Sequence, residues 1–65
     1  MKMFIGDLVR YSDQMTGNKR LGLITDIIED CNGFEMYEVV CADPPDRGWY
    51  PDLQLELIVS SVTGH

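Results

Sequence analysis

The run Gly48-Trp49-Tyr50-Pro51-Asp52-Leu53-Gln54-Leu55-Glu56-Leu57-Ile58 constrains this chain more than any other stretch. It sets three signals in order: a short aromatic strand, a single turn opened by proline, and a closing strand that alternates apolar and polar residues. Pro51 has its φ fixed for entry into a turn. Asp52 follows with a carboxylate that complements the exposed N–H groups of a first 3₁₀ turn. The run holds no nucleophile with a base, no metal-ligand set and no phosphate loop. It speaks for architecture.

Upstream, short runs rich in Val, Ile, Leu and Tyr are separated by turn residues, and no helical period is sustained. A first strand is expected over Asp7 to Tyr11, after a bend at Gly6-Asp7. It places Val9 and Tyr11 on one face and Leu8 and Arg10 on the other. Ser12 to Arg20 reads as a polar loop containing Thr16-Gly17-Asn18-Lys19. The second strand, Leu21 to Asp30, is apolar on both faces near Leu23-Ile24 and Ile27-Ile28, as in a strand that bends and packs on both sides. Asn32-Gly33 predicts a two-residue type I′ hairpin, since both residues tolerate positive φ. That register pairs Cys31 with Phe34, Ile28 with Tyr37, Asp26 with Val39 and Ile24 with Cys41. The third strand, Glu35 to Ala42, turns Tyr37, Val39 and Cys41 to one side. Asp43 to Gly48 reads as a second hairpin loop, with Pro44 and Pro45 projecting into solvent. Trp49-Tyr50, a turn from Pro51 to Gln54 and a strand from Leu55 to Val59 complete the pattern. The expectation is one all-β domain of five strands over residues 1–59, followed by a loose tail over 60–65.

The chain has 65 residues, enough for one domain with a thin core. Its two cysteines, Cys31 and Cys41, form no disulfide framework, and the hairpin register sets them roughly 20 Å apart, beyond bridging range. His65 is the only histidine. A zinc site takes about four ligands, so no metal and no cofactor is expected, short of a metal shared across an oligomer. Eleven acidic against five basic residues give a net charge of −6. That balance opposes nonspecific nucleic-acid binding and an anionic membrane surface. It favours a basic protein partner, or solubility alone. No stretch has the apolar length of a signal peptide or a membrane span, so a cytoplasmic setting is the default.

Gly6-Asp7-Leu8-Val9-Arg10-Tyr11, Leu21-Gly22-Leu23-Ile24, Tyr37-Glu38-Val39-Val40, Trp49-Tyr50-Pro51 and Leu55-Glu56-Leu57-Ile58 follow one another over nearly the whole chain. Their order resembles the small SH3-like β-barrel proteins of tailed bacteriophages, especially those of marine bacteria. The resemblance implies a five-stranded barrel with a short 3₁₀ turn before its last strand. It implies a small accessory protein acting in the host cytoplasm or on the virion, with no catalytic residues to carry over. Peptide-binding SH3 domains end similarly, but their "ALYDY" opening and paired tryptophans are missing here. KOW-type barrels share the "GD-x-V" opening but carry basic loops.

Catalysis lacks its parts. Hydroxyls are available at Ser12, Thr16, Thr25, Ser60, Ser61 and Thr63, but the only imidazole is terminal, which leaves no triad. Asp26, Glu29, Asp30, Glu35 and Glu38 form the densest acidic patch. They lack calcium-loop spacing and read as a solvated strand face that protects an edge. Tyr11, Arg47, Trp49 and Tyr50 are the candidate partner-binding residues, because large amphipathic rings dominate interfaces. Alternation sends Trp49 and Tyr50 to opposite faces. With tryptophan assigned to the core, Tyr50 is the exposed ring beside Arg47 and the proline loop, or else a cross-strand packing partner. The leading expectation is a noncatalytic module that binds another protein or itself. The alternative is a nucleic-acid-associated, KOW-like barrel using Lys19, Arg20 and exposed aromatics.

Overall fold

The computed structural model describes residues 3–42 and 45–61. Five strands form one antiparallel sheet: β1 (Leu8–Ser12), β2 (Lys19–Glu29), β3 (Glu35–Ala42), β4 (Pro45–Pro51) and β5 (Glu56–Val59). Their order across the sheet is β4-β3-β2-β1-β5, which makes β4 and β5 its edges. A single 3₁₀ turn, Asp52–Gln54, precedes β5; Pro51 enters it in an extended conformation and Asp52 lies in its first turn. The all-β class and the closing turn are those the sequence indicated.

Alternation selects the inner face. Val9 and Tyr11 of β1, Ile24 of β2, Tyr37 and Val39 of β3 and Tyr50 of β4 are buried together with Met3. Ile27, Cys41, Leu55 and Leu57 pack around them. In a flat sheet β1 and β4 would lie three spacings apart, roughly 14 Å. Instead the Tyr11 and Tyr50 rings meet with centroids 5.1 Å apart, tilted by 47°. The Tyr11 hydroxyl also reaches Asp46 Oδ2 at 3.4 Å. The sheet therefore curls around its inner face. Gly22 permits this approach, since a Cβ there would lie 2.6 Å from Val39 Cγ1 and 2.9 Å from the Val40 carbonyl oxygen.

The first hairpin differs from the expected one. β2 and β3 pair Glu29 with Glu35, Ile28 with Met36, Ile27 with Tyr37 and Asp26 with Glu38. The register shifts again between Ile24 and Asp26, so Ile24 pairs with Val39. The cause is Asp30. Its Oδ1 accepts from the backbone N–H of Asn32 at 2.9 Å and of Phe34 at 2.9 Å. Its carbonyl accepts from Gly33 N–H at 3.0 Å. Of the loop residues only Gly33 has positive φ, +84°. The connection is thus a three-residue loop, a type I turn closed by a left-handed glycine, and the type I′ expectation is wrong. Because one residue of slip exchanges the faces, Ile27 packs on the core and Ile28 is exposed.

The second hairpin is tighter than expected. Ala42 already pairs with Pro45, and Asp46, Arg47 and Gly48 are strand residues, not loop. Proline is tolerated at the start of an edge strand, where its missing N–H breaks no interior ladder. Asp43 and Pro44 lie outside the described residues. The presumed tail is anchored at its start: Ser61 N–H donates to Asp7 Oδ1 at 2.6 Å, and Phe4 N–H to Asp7 Oδ2 at 2.8 Å. The remainder of that segment, residues 62–65, also lies outside the described residues.

Asp7 has no exposed surface. Burial pushes its carboxyl upward, but the Ser61 and Phe4 amides prevail and hold it below the ordinary value of 3.8. A carboxyl depressed by folding stabilises fully above its unfolded value and loses that contribution as pH falls through the folded one. Asp7→Asn should therefore cost about 2 kcal/mol at neutral pH. In thermal melts from pH 7 to pH 2, its deficit against the parent chain should shrink below about pH 4. A deficit constant over that range would be contrary. Gly22→Ala should cost roughly 1–3 kcal/mol in urea unfolding, since the clash includes a backbone oxygen.

Candidate interaction face

Of the four residues singled out for binding, the structure separates two from the other two. Tyr11 and Tyr50 are buried, 1% and 3% exposed, whereas Trp49 is 38% exposed and Arg47 is exposed. Trp49, assigned to the core, lies outside, and of the two readings of Tyr50 the cross-strand packing one holds. Register decides it: Tyr50 pairs with buried Tyr37, and Trp49 with Glu38 on the opposite side. Gly48 shares the inner face with Tyr50 and leaves room for its ring, which lies 2.9 Å from where a Gly48 Cβ would be. In sequence, that glycine two residues before Tyr50 was the available signal.

The concave side is filled by a polar cluster at one end of the core. Arg20, from the expected polar loop, belongs to β2. Its Nη1 pairs with Asp13 Oδ2 at 3.0 Å and Asp46 Oδ2 at 3.4 Å. Its Nη2 donates to Cys41 Sγ at 3.2 Å. Asp13 is further held by Met15 N–H at 2.7 Å, and the Met15 amide followed by Arg20 keeps its carboxyl below the usual range. Burial pushes the Tyr11 hydroxyl up to about 12, so it remains a neutral donor to Asp46. Arg20 is thereby turned away from the surface on which nucleic-acid binding was to rest. Neither Cys31 nor Cys41 is in a disulfide; Cys31 is exposed and Cys41 half-buried. Among the described residues no three potential ligands gather for a metal, and no helix is long and apolar enough to cross a membrane.

The outward side has a different character. Ladder partners share a face, and Leu8, Leu23, Val40 and Arg47 form one continuous row from β1 to β4. Leu21 lies beside this row, paired with Arg10, which in turn pairs with Glu56. Leu21 and Leu23 are each 49% exposed. A shallow groove of about 240 Å³ runs between Leu8, Leu21, Leu23, Thr25, Val40 and Ala42. Ion pairs flank the strip: Arg10 Nη1 to Glu56 Oε1 at 3.6 Å, and Arg47 Nε to Glu38 Oε2 at 3.4 Å. Trp49 stands next to the second pair. Sequence reasoning placed Leu8 on this face with Arg10 but missed Leu21 and Leu23 as surface residues, although two-faced apolarity in the second strand was visible.

Comparison with known proteins found no matching family model, no matching curated protein and no matching solved structure. The face must be interpreted from its own chemistry.

The placement of the two rings is checked by paired substitutions. Tyr50→Ala should cost about 3–5 kcal/mol, enough to unfold a domain of this size. Trp49→Ala should cost under about 1 kcal/mol. The opposite order in urea unfolding would return tryptophan to the core.

Proposed function

We propose that this chain is a noncatalytic interaction module that docks another polypeptide through the outer face of its sheet. One observation carries the reading: exposed Leu21 and Leu23 adjoin half-buried Leu8 and Val40 in one apolar strip on the outer face of the sheet. Single exposed leucines need no explanation, but a contiguous strip rimmed by charge is the usual form of a protein contact. Trp49 and Arg47 at its margin are residue types that anchor such contacts. The ion pairs at the rim fit a partner surface with an apolar centre and charges around it. Resemblance to the small phage barrel proteins supports an accessory or assembly role.

The test places a photoreactive benzoylphenylalanine at position 23, and as a control at Thr16 in the β1–β2 loop, within the cell that makes the protein. Position 23 should yield one discrete adduct with a polypeptide. Excess unlabelled parent chain should compete it away, and a Leu23→Asp chain should not. Position 16 should yield none. Adducts with nucleic acid, identical adducts from both positions, or no adduct would overturn the reading.

A further inference from the structure

We infer that Asn32-Gly33 is a self-catalysed modification site, at which the side-chain amide of Asn32 becomes a carboxylate, and that Asp30 sets its rate. The inference is independent of the docking role, since Asn32 lies at the β2–β3 hairpin tip, off the leucine strip. The chain has two asparagines, Asn18 and Asn32. Asn18 is followed by Lys19, whose side chain crowds its backbone nitrogen. Asn32 is followed by Gly33, which has no Cβ. Cys31, Asn32, Gly33 and Phe34 are all exposed, and a Cβ built on Gly33 would meet nothing within 4 Å. The Gly33 nitrogen is thus open to the adjacent electrophile, Asn32 Cγ, with which it can close a succinimide ring.

The chemistry needs only water. The Gly33 amide gives its proton to solvent and its nitrogen bonds to Asn32 Cγ. The Cγ–Nδ2 bond breaks, and ammonia leaves with a proton that solvent returns. Water then adds to one of the two ring carbonyls. Opening at the former side-chain carbonyl leaves an aspartyl residue. Opening at the main-chain carbonyl leaves an isoaspartyl residue, with an extra methylene in the backbone. One water is consumed, one ammonia is released, and nothing is oxidised or reduced. Either product is ionised at neutral pH. The net charge of −6 therefore gains a further negative unit, beside Glu29, Asp30 and Glu35.

The fold holds this reaction back. Gly33 N–H donates to the Asp30 carbonyl at 3.0 Å, so the proton that must leave is engaged. In a type I turn the second central residue, here Asn32, has ψ of about 0°. That directs the Gly33 nitrogen toward Asn32's own N–H and away from its side chain. The Asp30 carboxylate fastens the turn through the amides of Asn32 and Phe34, each at 2.9 Å. Reaction therefore waits on opening of the hairpin tip, a local event beyond the last ladder pair, Glu29 with Glu35.

The purified chain is held in neutral buffer over weeks, and its peptides are followed by mass spectrometry for the gain of OH in place of NH2. Asn32 should convert to a mixture of aspartyl and isoaspartyl forms, and Asn18 should stay intact. Asp30→Ala should convert at least about fivefold faster, the factor that corresponds to one net hydrogen bond. Gly22→Ala, which weakens the core and leaves the hairpin untouched, should convert at the parent's rate, because tip opening needs no global unfolding. If Asp30→Ala does not fold, the parent chain in urea at the same pH decides, and Asn32 should convert faster there than in native buffer. An Asn32 that stays intact, equal conversion of Asn18, or no acceleration in Asp30→Ala or in urea would overturn the inference. Acceleration in Gly22→Ala equal to that in Asp30→Ala would overturn it as well.

Discussion

The carboxylate of Asp7 ties the two ends of the chain together, beside the Ser61 hydroxyl's bond to the Ile5 carbonyl at 3.2 Å and the Gly6 amide's bond to the Ile24 carbonyl at 2.8 Å. Its two oxygens take the amides of Phe4 and Ser61, while its carbonyl takes Ile24 N–H at 3.0 Å. One residue thus fixes the segment entering β1, the segment leaving β5 and the middle of β2. β5 pairs only with β1, through a register that slips between Leu8 and Val9, so its own ladder is a weak tether. The buried charge is tolerable because its acceptors are met by donors from both ends of the sheet. With the ends locked, the curl that brings Tyr11 against Tyr50 can persist in a domain too small to hold it by burial alone.

That curl divides the protein chemically. Inside, Arg20 satisfies Asp13 and Asp46, Tyr11 donates to Asp46, and Tyr37 donates to Glu35 at 3.0 Å. No buried side-chain polar atom among the described residues lacks a partner. A core so fully satisfied is built to be rigid. The convex side differs: leucines replace the polar groups there and the ion pairs stand at the rim, which is why the docking role proposed above is assigned to it.

How much of this was legible depended on whether a signal was local. β3 could be read to the residue, because Glu35 to Ala42 alternates cleanly and the strand has a neighbour on either edge. The turn after Pro51 was equally plain, as its determinants are adjacent in sequence. The β2–β3 register was not. Asn32-Gly33 is a strong turn signal, but Asp30 captures the loop from outside the dipeptide and adds a residue to it. From that one slip, Ile27 and Ile28 exchanged faces. The core assignment of Trp49 failed for a related reason: its face is set by pairing with Glu38 across the hairpin, as that of Tyr50 is by Tyr37, and ring size alone carries no such information. The exposed leucine strip was half legible. Two-faced apolarity in β2 was visible in sequence, but only the sheet order shows that one of those faces has nothing laid over it.

The distribution of acid explains how such a strip is kept from indiscriminate contact. Had the carboxylates been scattered evenly, the outer face would repel every acidic neighbour, its own copies included. Had the face been made wholly apolar, it would adhere to any hydrophobic surface. Instead, Glu29, Asp30, Glu35 and Asp52, in no ion pair among the described residues, are gathered at the hairpin and the 3₁₀ turn. There they add long-range repulsion, while Asp26 lies on the outer face beside Glu38. Near the leucines, each carboxylate of the two rim ion pairs is held by an arginine of the neighbouring strand. On the proposed docking role, a partner approaching at random would meet repulsion first, and one aligned with the outer face would bury the leucines. Specificity would then reside in alignment, which a curled sheet with tied ends is suited to enforce.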